Sequence, residues 1–165
     1  MLHWYTIYMR ITHPTTVVIL GATGDLAQKK IYPALFDLWR RDLLPRDFAI
    51  IAFARREYTD VAYRDFVKDA LLAKNKEETD ELRTFLLLIN YVQGPLDTAD
   101  GYQILAKALH AYDEHAHVCS NKLFYLAVPP TLYEPIFTHL ATSGLTVPCV
   151  PGENEDRTIW TRILV

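Results

Sequence analysis

Short apolar runs alternate with longer amphipathic stretches along most of this chain. The runs have the length and composition of β-strands that are buried on both faces, and most of them lead into a glycine, an arginine or a proline. They predict five strands. The first two lie at residues 17–20 and 49–54, the third ends at residues 91–94, and the last two lie at residues 121–128 and 158–165.

The stretches between the runs predict helices at about residues 33–40, 60–73, 98–112 and 131–143. Thr59 is the predicted N-cap of the second helix, and Gly144 is the predicted C-cap of the last one. Because Pro33 would break a helix interior, we expect only a short turn at residues 25–30 before the first regular helix. The apolar stretch at residues 82–89 fits either a helix end or a strand start.

This order of elements predicts an α/β fold, namely a Rossmann-like doubly wound parallel sheet with helices on both faces. We expect the strand order 3-2-1-4-5 and a ligand at the switch point beside the first strand. Residues 15–165 are predicted to form this domain, and residues 1–14 a loose N-terminal arm.

The turn after the first strand carries a variant of the dinucleotide-binding fingerprint, with Gly21, Gly24 and Ala27 at intervals of three residues. Gly21 permits a sharp turn, Gly24 lets the backbone approach a pyrophosphate, and Ala27 lets the next helix lie close to the sheet. We expect the N–H groups of Gly24, Asp25 and Leu26 to be free for an anion. Taken alone, the pattern also fits a turn that binds no ligand.

Two arginines, Arg55 and Arg56, follow the second strand. In a Rossmann unit this position lies beside the adenosine ribose, where an acidic residue selects NAD and an arginine suits the 2′-phosphate of NADP. We interpret Arg55 as a phosphate contact, and the alternative is a solvated charge pair.

Composition narrows the possible partners. The net charge is −3, and no apolar run approaches the length of a membrane span, so we expect neither nucleic acid nor a membrane as a partner. Because the first residues lack the features of a signal peptide, a cytoplasmic location is expected. Cys119 and Cys149 lack metal-ligand spacing; we expect no metal site and interpret both as small buried hydrophobes.

Residues 21–33 read Gly-Ala-Thr-Gly-Asp-Leu-Ala-Gln-Lys-Lys-Ile-Tyr-Pro, which closely resembles the coenzyme loop of glucose-6-phosphate dehydrogenases. Four further segments are similar to the same family: Phe-Ala-Arg at 53–55, Tyr-Val-x-Gly at 91–94, the strand and double proline within 123–133, and Trp-x-Arg-Ile-Leu-Val at 160–165. These matches are spread over most of the chain.

The resemblance implies an enzyme of the pentose phosphate pathway that oxidises glucose 6-phosphate to a lactone with NADP, and a homo-oligomer for the intact enzyme. It implies that Thr23 and Arg55 contact the 2′-phosphate. The coenzyme-binding residues that it predicts are Gly21, Ala22, Thr23, Gly24, Asp25, Leu26, Ala27, Gln28, Arg55 and Tyr133.

Two departures from the family limit the expected activity. Gln28 replaces a usual Lys or Arg, for which Lys29 and Lys30 are candidates to compensate. The family's Glu-Lys-Pro segment and the Asp-His-Tyr segment that supplies its base have no counterpart after Val165. We therefore expect a coenzyme domain that binds NADP without turnover, and we assign no catalytic residue.

No pair of a histidine and a carboxylate in this chain matches the role of that base. We interpret four histidines as surface residues: His110, His115, His117 and His139. The runner-up function is a stand-alone NADP-binding module that senses coenzyme or regulates a partner. A third reading, an unrelated Rossmann reductase, would need a Tyr-x-x-x-Lys pair that the chain lacks.

Overall fold

The structure is a computed structural model that describes residues 13–74, 77–149 and 159–165. Its strands are β1 (Thr15–Leu20), β2 (Phe48–Ala54), β3 (Ile89–Gln93), β4 (Asn121–Leu126) and β5 (Thr161–Leu164). They form one parallel sheet in the order β3-β2-β1-β4-β5. The predicted Rossmann strand order is thereby confirmed. Residues 1–12 of the predicted arm and residue 158 of the predicted fifth strand lie outside the described residues.

The helices are α1 (Tyr32–Arg40), α2 (Asp60–Leu72), α3 (Asp80–Leu86), α4 (Ala99–Ala116) and α5 (Tyr133–Thr142). The first three pack on one face of the sheet against Val17 and Ile19, and the last two pack on the other face against Val18 and Leu20. Successive strand residues point to opposite faces, and both faces are covered, so β1 and β2 are buried along their whole length. Helices on both faces were predicted, and this is confirmed.

Local signals account for several boundaries. The Thr59 hydroxyl accepts a hydrogen bond from the Ala62 N–H at 3.2 Å, so its predicted role as the N-cap of α2 is confirmed. The ambiguous stretch at residues 82–89 divides, because α3 ends at Leu86 and β3 begins at Ile89. Gly144 follows α5 with a φ of 77°, as a C-cap glycine does.

The chain differs from the prediction at Pro33. Instead of a short turn at residues 25–30, helical backbone begins at Asp25, and a π-helical segment (Ala27–Ile31) leads directly into α1. The Tyr32 N–H donates to the carbonyl of Ala27, five residues earlier. Because Pro33 has no N–H and its ring crowds the preceding turn, this wider turn keeps the helix continuous.

Two further boundaries differ from the prediction. Helix α4 continues past residue 112 to Ala116 and ends where His117 takes a left-handed φ of 51°. The predicted fifth strand is shorter than expected, because β5 begins only at Thr161. Pro135 lies in the first turn of α5, where a proline is tolerated.

The interpretation of both cysteines as buried hydrophobes is wrong. Cys119 precedes β4, Cys149 follows α5, and the two form a disulfide with their Cα atoms 6.0 Å apart. Cys149 is exposed, and Cys119 is only partly buried. Separately, none of the described helices has both the length and the apolar character needed to cross a membrane.

Candidate functional site

The carboxyl ends of three neighbouring strands meet at one edge of the sheet. Leu20 of β1 lies opposite Phe53 of β2 on one side and Leu126 of β4 on the other. The segments that follow these strands therefore start side by side. We call residues 21–28 the glycine loop. We call residues 54–56, which begin with the last residue of β2, the arginine turn.

The glycine loop turns sharply at its first residue. Gly21 has a φ of +85°, and a Cβ there would lie 2.6 Å from both the carbonyl oxygen of Ala127 and a methyl carbon of Val128. The Gly21 N–H donates to the Phe53 carbonyl at 2.9 Å, which ties the loop to β2. Only glycine meets both the backbone and the space requirement, as the motif predicted.

The expectation that the Gly24 N–H is free is wrong, because it donates to the Gly21 carbonyl at 2.9 Å and closes the turn. Asp25 and Leu26 begin the helical backbone and are exposed, and the first N–H groups of a helix lack partners within it. Ala27 is fully buried, so the helix lies close to the sheet as expected. This helix start remains suited to an anion.

Polar side chains within the loop brace it. The Gln28 amide donates to the carbonyl of Thr23 at 3.2 Å, whereas the Thr23 hydroxyl makes no hydrogen bond to another described residue. Lys29 forms an exposed ion pair with Asp25 at 2.5 Å, while Lys30 is exposed. Lys29 and Lys30 are the candidates to supply the positive charge that Gln28 lacks. Lys29 is already paired, although an exposed ion pair contributes little to stability.

Buried tyrosines hold the loop from beneath. The Tyr63 hydroxyl donates to the carbonyl of Ala22 at 2.7 Å, and it lies 2.6 Å from the Tyr32 hydroxyl. Each hydroxyl has one hydrogen, so Tyr32 donates to Tyr63 while Tyr63 donates to Ala22. Burial raises the pKa of both Tyr32 and Tyr63 far above the usual range, which keeps these hydroxyls protonated as donors.

The arginine turn begins at the last residue of β2. Arg55 and Arg56 are exposed, and neither side chain forms an ion pair with another residue in the described part of the chain. The two guanidinium groups are therefore available to an anion at the same edge as the glycine loop.

Tyr133 begins α5 after a short 3₁₀ turn, Pro130–Leu132, that follows β4. Its side chain is partly buried, and its ring lies 6.1 Å from that of Phe137. All the predicted coenzyme residues thus follow the carboxyl ends of β1, β2 and β4.

Sequence reasoning missed the tyrosines that support this edge. Tyr32 falls within the segment that resembles the family loop, and Tyr91 opens the Tyr-Val-x-Gly match, but Tyr63 belongs to no motif. The burial of Tyr63 was readable from its position on an amphipathic helix, whereas its bond to Ala22 was not, since the two residues are far apart in sequence.

The described residues contain no group of His, Cys, Asp and Glu that could hold a metal ion. An open depression of about 830 Å³ lies between the end of α4 and the segment after α5, near the start of β4. Ligands of such sheets bind at the carboxyl ends of the strands, so this depression is at the wrong end for a coenzyme.

The histidines are placed largely as expected. His110, His115 and His117 are exposed, and His110 lies 3.7 Å from Glu114 in an exposed pair. His139 is only partly exposed, because its ring packs 5.2 Å from that of Tyr102. None of them follows a strand at the carboxyl edge of the sheet.

Comparison with known proteins gives a consistent result. Residues 18–165 match the sequence family described as "Glucose-6-phosphate dehydrogenase, NAD binding domain". The chain is 37% identical over 155 residues to glucose-6-phosphate 1-dehydrogenase 6, cytoplasmic, of Arabidopsis thaliana, covering 91% of this chain and 29% of the relative. It is 38% identical to the cytoplasmic isoform from Solanum tuberosum, with the same shares covered.

Solved structures give the same picture. A glucose-6-phosphate dehydrogenase in complex with glucose 6-phosphate superposes with a TM-score of 0.77 at 30% identity, covering 94% of this chain and 31% of that one. The enzyme from Mycobacterium avium superposes with a TM-score of 0.71 at 28% identity, covering 92% and 29%. The chain thus spans less than a third of the length of these relatives.

Proposed function

This chain belongs to the glucose-6-phosphate dehydrogenase family, and we propose that residues 15–165 form an NADP-binding domain of such an enzyme. The family description names NAD, so the preference for NADP is the finer part of the proposal. It is carried by one observation: Arg55 is exposed and unpaired among the described residues, directly after β2 and beside the glycine loop.

The residues at this edge fit a dinucleotide. Gly24 has no side chain, so its backbone is free of side-chain bulk where a pyrophosphate must approach. A Cβ there would also crowd the turn, because it would lie 3.1 Å from the Gly21 carbonyl oxygen. We assign the pyrophosphate to the glycine loop, from Gly21 to Gln28. The adenosine 2′-phosphate is assigned to Arg55 and the Thr23 hydroxyl, and Tyr133 to the neighbourhood of the coenzyme.

The whole protein would use the bound NADP as a hydride acceptor in the oxidation of glucose 6-phosphate. This part of the proposal rests on the relatives, which are named for that activity, and on the solved relative that holds glucose 6-phosphate. The role of residues 15–165 in it is to bind the coenzyme and orient it. The runner-up role, a coenzyme sensor, has no support from these relatives.

A cytoplasmic location is proposed from the Arabidopsis relatives, two of which are named cytoplasmic. The disulfide between Cys119 and Cys149 is unusual for that location, because the cytoplasm keeps most thiols reduced.

The coenzyme proposal is tested by calorimetric titration of the 165-residue chain with NADP and with NAD. We expect NADP to bind more tightly, by roughly tenfold or more, because a charge-assisted contact to a phosphate contributes about 1.5–3 kcal/mol. Equal affinities for the two coenzymes would overturn the proposed preference.

A second assay separates binding from chemistry. The 165-residue chain is mixed with NADP and glucose 6-phosphate, and NADPH absorbance is followed. We expect no NADPH above the blank, because oxidation of an alcohol needs a base within reach of the departing proton, and no described histidine directly follows the carboxyl end of a strand. Production in proportion to the amount of chain would show that the catalytic groups lie within these residues.

A further inference from the structure

The backbone of the arginine turn is held by side chains from another strand. The Tyr91 hydroxyl of β3 lies within hydrogen-bond distance of the Arg56 carbonyl and, at 3.2 Å, of the Ala54 carbonyl, and it shares its one hydrogen between them. The Gln93 amide, two residues further along β3, donates to the Arg55 carbonyl at 3.3 Å. Two side chains on the same face of β3 therefore reach three successive carbonyls of the turn, and the Ala54 carbonyl also accepts from the Gly94 backbone N–H at 3.0 Å.

Tyr91 is itself held in place. Its backbone N–H donates to a carboxylate oxygen of Asp60 at 2.6 Å, at the start of α2. Its ring stacks on that of Tyr63, with centroids 4.4 Å apart and planes inclined by 27°. Burial raises the pKa of Tyr91 to about 12, so the hydroxyl keeps its proton and remains a donor.

Tyr91 and Tyr63 therefore connect the two halves of the coenzyme edge. Tyr63 donates to the Ala22 carbonyl in the glycine loop, whereas the Tyr91 hydroxyl shares its hydrogen between the carbonyls on both sides of Arg55. The stacked rings lie between these two contacts. Neither hydroxyl needs to touch the coenzyme in order to act, because each one fixes backbone that does.

We propose that Tyr63 and Tyr91 are positioning residues with separate effects, and this rests on the proposed function. Tyr63 fixes the glycine loop and so supports the binding of any dinucleotide through its pyrophosphate. Tyr91, with Gln93, fixes the arginine turn and so supports only the contact with the 2′-phosphate. Tyr91 is therefore a determinant of the choice between NADP and NAD.

The separation follows from what each coenzyme contains. NAD and NADP share the pyrophosphate, so a displaced glycine loop weakens both to the same degree. Only NADP has the 2′-phosphate, so a mobile arginine turn weakens NADP and leaves NAD unchanged. A general loss of packing would instead lower both affinities together with the melting temperature, and this distinguishes positioning from a merely structural role.

The test uses the full 165-residue chain and calorimetric affinities for NADP and NAD. For Tyr91→Phe we expect NADP to bind about threefold to tenfold more weakly and NAD to be unchanged, because the variant loses one shared neutral hydrogen bond. For Tyr63→Phe both coenzymes should weaken by the same factor. Gln93→Ala, at an exposed position, should repeat the Tyr91→Phe pattern with a smaller effect.

Tyr58→Phe is the matched control, because Tyr58 packs in the same aromatic cluster while its hydroxyl makes no hydrogen bond to a described residue. It should change neither affinity. If the unmodified chain binds neither coenzyme, the proposed function fails and the inference fails with it. If the unmodified chain prefers NADP, but both Tyr91→Phe and Gln93→Ala keep the original ratio of affinities, the inference alone is overturned.

Discussion

The glycine loop and the arginine turn lie side by side at one edge of the sheet, yet they keep their shapes by different means. The loop is fixed largely by its own backbone, through the left-handed φ of Gly21 and the bond from the Gly24 N–H to the Gly21 carbonyl. The arginine turn is held by β3 and the residue after it, far along the chain. The Gly94 N–H donates to the Ala54 carbonyl at 3.0 Å, and the side chains of Tyr91 and Gln93 donate to the carbonyls of the two arginines.

This difference explains why the glycine loop can be recognised from its sequence more easily than the arginine turn. A loop built on backbone conformation must carry glycine at fixed spacing, because no other residue fits. A turn held by distant side chains carries no such local mark, so only its exposed arginines stand out. The first region should therefore fail when its own glycines change, and the second should fail when a remote hydroxyl is removed.

The largest effect is expected for Gly21→Ala. The new Cβ would lie 2.6 Å from the Ala127 carbonyl oxygen, in a backbone conformation that side chains rarely adopt. Strain and overpacking together should lower the free energy of unfolding by about 2–5 kcal/mol, as measured in urea.

Gly144→Ala is the matched control for Gly21→Ala. Gly144 also has a left-handed φ, of +77°, but a Cβ there would meet nothing within 4 Å. This variant should lose only the conformational part, about 1–2 kcal/mol. Equal losses in the two variants would show that the close approach of Ala127 to Gly21 does not contribute.

Gly24→Val should affect binding more than folding. Gly24 lacks a left-handed φ, and a Cβ there would lie 3.1 Å from the Gly21 carbonyl oxygen, so the turn must give by a few tenths of an ångström. We expect a folded chain by circular dichroism that no longer binds NADP or NAD, because the branched side chain occupies the approach to the loop backbone. Retained affinity for both coenzymes would mean that the glycine loop is structural only.

Alkaline pH should destabilise the tyrosine support of both regions. Burial raises the pKa of Tyr91 to about 12, and it raises the pKa of Tyr63 further, whereas unfolded tyrosine ionises near pH 10. The unfolded chain therefore loses protons first, so stability is fully present below about pH 10 and is lost as pH rises through the folded pKa. The melting temperature should fall by a few degrees between roughly pH 10 and roughly pH 12.

Tyr63→Phe removes one of these titrating groups, so its melting temperature should depend less steeply on pH over that range. An identical slope in the variant and the unmodified chain would contradict the assignment of the alkaline transition to the buried tyrosines.

Much of the fold was predictable because it rests on local patterns. The apolar runs fix the strands, and their alternation with helices fixes the sheet order through right-handed crossovers. The π-helical segment before Pro33 was not predictable, since proline signals an interruption and several backbone solutions satisfy it. The disulfide was also missed, because pairing of Cys119 with Cys149 depends on two loops that meet only in the folded chain.

The residues of the candidate site also include some that were predictable from the sequence and some that were not. Gly21, Gly24 and Arg55 were predicted as coenzyme residues from their spacing and from their place after a strand. The roles of Tyr63 and Tyr91 were not found, because a buried tyrosine in a pattern is indistinguishable from any other core aromatic. Their partners are backbone carbonyls, which carry no sequence signal at all.

The central claim is that Arg55 gives this edge its preference for NADP, and the most direct measurement is the ratio of NADP to NAD affinity in Arg55→Asp. The new carboxylate would repel the 2′-phosphate and accept hydrogen bonds from the ribose hydroxyls of NAD, so the ratio should fall by roughly tenfold or more. Arg56→Asp, with the same change of charge at the next position, should lower it less. A ratio in Arg55→Asp equal to that of the unmodified chain would contradict the claim.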